Sequence, residues 1–269
     1  TATATAKTAV EAGTVVLAGV ENVSIDSTGE GFVANNIVVT AGSLQSLTIT
    51  GDKDLDLDFA GTNGTNVVAG GGAVNLIDGS TATGKLDIDT TSVTADNSST
   101  GLTVKGGSAD DIITLAQAAT VEAGAGDDVI TTAADTSSTL SGGAGEDSFV
   151  VTATTAATTS AGTAVTNANV IKTTITDFEA GDSITGLVAA DSIAKISLDS
   201  TVQSLDDAFA LLGDNAGTTD AQWFNYGQST YLVYNDATAG LSDGDVVVEL
   251  TGTYDLSNAT IASGVVELA

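Results

Sequence analysis

The chain has 269 residues, enough for one large elongated domain or two compact ones. Six lysines, no arginine and 35 acidic residues leave a formal charge of −29, which excludes nucleic acid as a partner because phosphate binding needs the opposite sign. Cys and His are both absent, so disulfides, thiol chemistry, an HExxH protease helix and a Ser-His-Asp triad are all excluded from this chain, and a zinc centre is disfavoured.

An acidic chain with only 4% aromatic residues has the outline of a disordered one. Against that, 42% of the residues are apolar, and Val, Ile and Leu recur in short groups that suit strands. A charge of this size repels itself in a compact state, and a bound divalent cation offsets the repulsion. No N-terminal signal peptide and no run of 18 apolar residues is present, so no membrane insertion is predicted. The absence of Met, even at position 1, predicts that the chain is the C-terminal part of something longer.

In chain order, the first predicted elements are short β-favouring groups between small or polar turns. They are Val15-Val16-Leu17, Val23-Ser24-Ile25, Ile37-Val38-Val39, Leu47-Thr48-Ile49, Leu55-Asp56-Leu57, Leu86-Asp87-Ile88 and Leu102-Thr103-Val104. Many alternate apolar with polar, which turns one face inward. Short, evenly dealt strands fit the stacked rungs of an all-β parallel solenoid better than a sandwich. Residues 1–60 are read as plain rungs, 61–151 as rungs carrying a repeated Gly/Asp turn, 152–169 as a Thr/Ala-rich insertion loop, and 170–269 as a C-terminal cap.

Within that last segment, Ser204 and Asp207 form a capping-box variant before an apolar face of Leu205, Ala208, Phe209 and Leu212, and Gly213 supplies the stop. This predicts one helix. Two β-type runs flank Gly227-Gln228, from Trp223 to Tyr234, and predict a hairpin. Asp245 to Leu250 is a further strand, and the aromatics concentrated here are read as core packing.

The repeated turn carries the chemistry. Gly106-Gly107-Ser108-Ala109-Asp110-Asp111-Ile112-Ile113, Ala123-Gly124-Ala125-Gly126-Asp127-Asp128-Val129-Ile130 and Gly142-Gly143-Ala144-Gly145-Glu146-Asp147-Ser148-Phe149 share one pattern and recur at nearly even spacing. Small residues let the backbone turn sharply and aim carbonyl oxygens inward, the sixth residue adds a carboxylate, and an apolar residue two places on anchors a strand. One turn cannot surround a cation. Two turns stacked at the strand spacing of about 4.8 Å supply six oxygens, which suits Ca2+. On this reading Asp111 and Asp128 share one ion and Asp128 and Asp147 the next. Carbonyls near Gly107, Ala109, Gly124, Gly126, Gly143 and Gly145 complete the shells. Asp110, Asp127 and Glu146 face outward.

Two degenerate copies lie upstream, Gly61 to Val68 and Gly70 to Ile77, with Asn66 and Asn75 where the later copies put Asp. An amide offers an oxygen without charge, so these are read as rungs with weaker or absent metal binding, and Asp78 is placed to compensate.

The Gly/Asp turns of residues 61–151 resemble an RTX β-roll, a calcium-binding repeat. Ile175-Thr176-Asp177-Phe178-Glu179-Ala180-Gly181-Asp182-Ser183-Ile184, the Trp223–Tyr234 hairpin and Val246-Val247-Val248-Glu249-Leu250-Thr251-Gly252 resemble the C-terminal part of RTX proteins, chiefly the RTX-type S-layer proteins of Gram-negative bacteria. The Ala/Thr/Gly-rich rungs of residues 14–60 point the same way. This resemblance implies secretion by type I machinery through an uncleaved C-terminal signal and folding outside the cell when calcium is met. It also implies a place at the bacterial cell surface, and it makes Asp177 and Asp182 candidate ligands of a further ion. Ala109 and Ala123 stand where the repeat has Gly.

The function expected is structural and non-enzymatic: a calcium-dependent S-layer protein that assembles with itself. The alternatives are a secreted RTX adhesin, or the non-catalytic secretion module of an RTX protease or lipase.

Overall fold

The computed structural model describes residues 2–8, 11–17, 19–30, 34–59, 74–91, 93, 101–152, 170–187, 192–212, 221–234, 245–262 and 264–268. The Gly61–Val68 copy with Asn66, Gly70–Ala73 of the second copy, Gly213 and residues 153–169 of the predicted insertion lie outside them. The chain divides into two compact units, Thr1–Ala133 with Leu140–Asp147 and Ala134–Thr139 with Ser148–Ala269.

The first unit is a parallel β-solenoid. Its strands are β1 (Ala2–Thr8), β2 (Glu11–Val16), β3 (Asn22–Glu30), β4 (Asn35–Thr40), β5 (Ser46–Gly51), β6 (Leu55–Phe59), β7 (Leu76–Ala82), β8 (Leu86–Asp89), β9 (Leu102–Lys105), β10 (Ile112–Thr114), β11 (Ala119–Ala125), β12 (Val129–Thr131) and β13 (Thr139–Ala144). Odd-numbered strands follow one another in one sheet and even-numbered strands in a second, so each coil contributes one strand to each. Pairing is parallel from β1 to β11 in the first sheet. It is parallel from β2 to β12 in the second.

Alternation along each strand stacks like on like. Val23, Leu47, Ile77, Val104 and Val121 face one another in register and are all buried. Ile37, Leu57, Ile88, Ile113 and Ile130 do the same in the second sheet. Each such side chain contributes on the order of 1.5–3 kcal/mol on burial, and its in-register neighbours come from the adjacent coils. Coil length changes along the stack: the step from Leu47 to its neighbour Ile77 spans far more chain than the step from Val104 to Val121. The coils tighten where the Gly/Asp turns begin.

The outer face of the second sheet carries a less comfortable stack. Asp56 lies beside Asp87 and Asp58 beside Asp89 on adjacent parallel strands. Burial pushes the Asp87 carboxyl above the usual range, with the Asp56 charge adding to it and Lys85 opposing. Asp58 is raised for the same reason, by burial and then by Asp56 and Asp89. A raised native pKa favours the protonated form in the fold. The stability this contributes is present below the unfolded value near 3.8 and is lost as pH climbs through the raised value. Asp87→Asn is therefore expected to raise the melting temperature by about 2 °C at pH 7 and by nothing near pH 3, read from thermal melts at the two pH values. An equal effect at both would exclude charge as the cause.

The second unit mixes parallel and antiparallel strands: β14 (Ser148–Val150), β15 (Thr173–Ile175), β16 (Ser183–Thr185), β17 (Ile193–Lys195), β18 (Ala221–Tyr226), β19 (Ser229–Tyr234), β20 (Val246–Thr251), β21 (Thr260–Ala262) and β22 (Val265–Glu267). One sheet runs β15-β20-β19-β18-β17 and the other β14-β16-β22-β21. Among the described residues there is one α-helix, α1 (Leu205–Ala210), closed at its start by the Ser204–Asp207 capping box. The predicted hairpin is present: Tyr226 faces Ser229 across Gly227-Gln228, and Gly227 takes φ +64°. The core packs Leu205, Ala208, Phe209 and Leu212 against Phe224, Tyr231, Val233 and Val247. The rings of Phe209, Phe224 and Tyr231 are in mutual contact. Glu249, partly buried, accepts hydrogen bonds from Lys172, Ser229 and Tyr231, which ties β20 to β19 and to the residue that precedes β15. No helix among the described residues is long and apolar enough to cross a membrane.

Candidate metal centre

The Gly/Asp turns connect the first sheet to the second on one side of the solenoid. Residues that enter the second sheet there form an inward column: Asn35, Leu55, Leu86, Asp111, Asp128 and Asp147, each nearly or fully buried. The column changes from leucine to aspartate between Leu86 and Asp111. Carboxylates thus stand inside the fold where apolar side chains stood one coil earlier.

Backbone donors hold them there. The Leu86 N–H donates to Asp111 Oδ1 at 2.7 Å, and the Gly107 N–H to Asp111 Oδ2 at 2.6 Å. The Asp111 N–H donates to Asp128 Oδ1 at 2.7 Å, and the Asp128 N–H to Asp147 Oδ1 at 2.9 Å. Each coil therefore donates to the carboxylate of the coil after it. Asp128 Oδ2 is buried and has no hydrogen-bond donor. Burial lifts the Asp128 pKa to about 7, with the charges of Asp111, Asp147 and Asp110 adding to the rise and the Asp111 N–H opposing it. An ionised Asp128 without a cation is therefore costly.

Glycine is required for the close stacking of these turns. A Cβ at Gly143, φ +106°, would sit 1.9 Å from the Gly124 carbonyl oxygen, and one at Gly142 would sit 2.0 Å from Asp147 Oδ2. At Gly124 a Cβ would meet the Gly107 oxygen at 2.1 Å, and at Gly145 the Gly126 oxygen at 2.1 Å. The carbonyls of Gly107, Gly124 and Gly126 are thus aimed along the stack at the next coil's glycine, and that of Ala109 approaches Gly126.

The donor set is oxygen alone, in a chain without His or Cys. It suits a hard cation of the calcium type. Among the described residues no group of three or more acidic side chains is gathered tightly enough to hold an ion by itself. Successive carboxylates lie in successive coils, so an ion in the column depends on backbone carbonyls for much of its shell. The orphaned Asp128 oxygen and the aligned carbonyls fit that requirement.

Other sequence-derived candidates fall outside the column. Asp78 lies in β7, on the outer face of the first sheet, where it accepts from the Ser80 N–H and hydroxyl and stands beside Lys105. Lys105 in turn pairs with Glu122 at 2.6 Å, giving an Asp–Lys–Glu row instead of a metal shell. Asn75 is exposed at the start of that strand, its N–H donating to the Gln45 carbonyl. In the second unit, Asp182 is buried immediately before β16, the position Asp128 has before β12, and its Oδ2 accepts from the Glu179 N–H at 2.8 Å. Asp177 is partly buried. Burial and then the charges of Asp177, Asp182 and Glu179 raise the Tyr254 pKa, and the Tyr254 hydroxyl donates to the Phe178 carbonyl at 2.7 Å.

A second column goes beyond what the sequence pattern indicates. Asp54, Lys85, Asp110, Asp127 and Glu146 each immediately precede a member of the inward column. Asp54 Oδ1 accepts from the Lys85 N–H at 3.0 Å, Asp110 Oδ1 from the Asp127 N–H at 2.9 Å, and Asp127 Oδ1 from the Glu146 N–H at 2.9 Å. All are exposed except Lys85, which is partly buried. The acidic doublets of the repeat are the available signal.

No protein-family model and no curated protein matches the chain.

Proposed function

We propose that the chain is a structural, non-catalytic component of a calcium-dependent bacterial surface layer, and that the Asp111–Asp128–Asp147 column switches on its folding and self-assembly. The observation that carries the reading is Asp128 Oδ2, a buried carboxylate oxygen without a donor in the middle of three buried carboxylates. Calcium supplies, when bound, the positive charge that allows these groups to stay ionised inside the fold. The chain's own part is to align them. The three carboxylates hold the ions, the carbonyls of Gly107, Ala109, Gly124, Gly126, Gly143 and Gly145 complete the shells, and the glycine turns let the coils close to stacking distance. In the second unit, Asp177 and Asp182 are assigned to a separate ion.

At low calcium the column repels itself and the coils stay open, which suits export through type I machinery in an unfolded form. Outside the cell, calcium favours the folded state by mass action. A chain of charge −29 associates with copies of itself only when that charge is neutralised, and calcium between molecules does this as well as calcium within them. The resemblance to RTX-type S-layer proteins and the long, Cys-free solenoid support this reading over an enzyme.

Calcium titration followed by electron microscopy tests it. Two-dimensional arrays that form with calcium and dissolve in chelator are the expected result. Calcium-dependent folding without association at high protein concentration would replace the lattice by a secreted adhesin or by the secretion module of an RTX protease or lipase.

A further inference from the structure

β1 and β2 form the terminal coil of the solenoid: among the described residues β1 pairs only with β3, and β2 only with β4. Their outer edges present backbone N–H and C=O groups that no described strand meets. Each strand has one register shift, between Ala6 and Thr8 and between Glu11 and Thr14, and residues 2–6 and 14–16 stay in step with their neighbours. A core column of the second sheet also runs out here. Phe59, Val39 and Val15 stand in register; the first two are 3% and 1% exposed, whereas Val15 is only half-buried. Beside it Val16 is 62% exposed, and among the described residues only Leu211 joins it as an exposed large apolar side chain.

A solenoid end that faces water needs a finishing coil with a polar outer face. This end carries Val15-Val16 instead, together with a strand, Ala2–Thr8, that holds no acidic residue in a chain with 35. The one charged residue of that strand is Lys7. The like-charge repulsion that keeps copies of a −29 chain apart is therefore weakest at this end. In the second unit the edge strand β17 is packed against the 3-10 helix Leu256–Asn258, so it offers no open edge for a head-to-tail contact. Two identical open edges meet about a two-fold axis, which makes the mating strands antiparallel.

We propose that the β1–β2 edge is a self-association surface on which a second copy of the chain docks two-fold, β1 against β1, so that the first sheet continues from one copy into the other and Val15 and Val16 are covered. The inference rests on the self-assembly reading and adds to it one defined contact. That contact is made by backbone pairing and apolar cover, and not by calcium bridges between acidic surfaces.

Because the chain has no Cys, a single introduced thiol reports the contact. Thr3 and Thr5 stand in register with Ser24 and Asp26, not with the buried Val23 and Ile25. Opposed residues of an antiparallel pair have Cβ atoms about 4.5–5.5 Å apart, close enough for a disulfide. The full chain carrying Thr3→Cys or Thr5→Cys is oxidised with copper phenanthroline in calcium and read on a denaturing gel, with electron microscopy of the same samples. At least one of the two is expected to give about tenfold more covalent dimer than Leu211→Cys, an exposed position in the second unit, because docking raises the effective concentration of the thiols. Val16→Asp in the same background is expected to lower the yield about tenfold, with an unchanged far-UV spectrum, by placing a charge in the covered apolar patch. A yield no greater than that of Leu211→Cys, or one insensitive to Val16→Asp, overturns the end contact. Arrays without the cross-link remove this contact and leave the lattice reading standing, and cross-linked dimers without arrays do the reverse.

Discussion

Transfer from millimolar calcium to excess chelator is expected to lower the melting temperature by roughly 10–20 °C. Two ions each present at about a hundred times their dissociation constant contribute about 2.7 kcal/mol apiece, and in a unit of this size about 1 kcal/mol moves the midpoint by roughly 2–4 °C. The loss should be accompanied by a fall in β-sheet circular dichroism, because the coils bearing Asp111, Asp128 and Asp147 are stacked into the same two sheets as the rest of the solenoid. Magnesium should not restore it at equal concentration, since it demands a tighter octahedral shell and gives up water reluctantly. A melting curve and spectrum unchanged by chelator would remove the metal from the account.

Asp128→Asn should change stability with opposite signs in the two media. In chelator the substitution deletes a buried charge with no cation beside it, and the amide oxygen can still accept from the Asp111 N–H, so the variant should melt higher than wild type. In calcium it removes the carboxylate that the two proposed ions would share, so more than half of the calcium-induced rise in melting temperature should vanish. Asp110→Asn, at an exposed carboxylate in the outer column, should leave that rise nearly intact. If Asp128→Asn is destabilising in chelator and in calcium alike, the carboxylate serves only to hold the Asp111 N–H.

The parts legible in the sequence are those set by local pattern. Leu55-Asp56-Leu57 and Leu86-Asp87-Ile88 alternate, and both form strands with apolar residues inward. The Ser204–Asp207 box marks the helix, and Gly227-Gln228 the hairpin. The three repeated aspartates come together in one buried column, as their spacing implies. What depends on register across coils of unequal length is not legible. Asp78 follows a degenerate copy of the repeat, yet the chain enters the opposite sheet there and turns the carboxylate toward Lys105. The pairing of Asp56 with Asp87 crosses a whole long coil, so no local rule reveals the outer stack.

Three hydrogen bonds between coils of the inward column run one way, from the N–H of an earlier coil to the carboxylate of a later one. Leu86 waits on Asp111, Asp111 on Asp128, and Asp128 on Asp147. Closure of this stretch consequently has a polarity. A coil laid down before its successor keeps a buried donor unmet, while a coil laid down after its successor finds the acceptor already in place. The stack is zipped most cheaply from the Asp147 end toward Leu86, and it frays most readily in the opposite order.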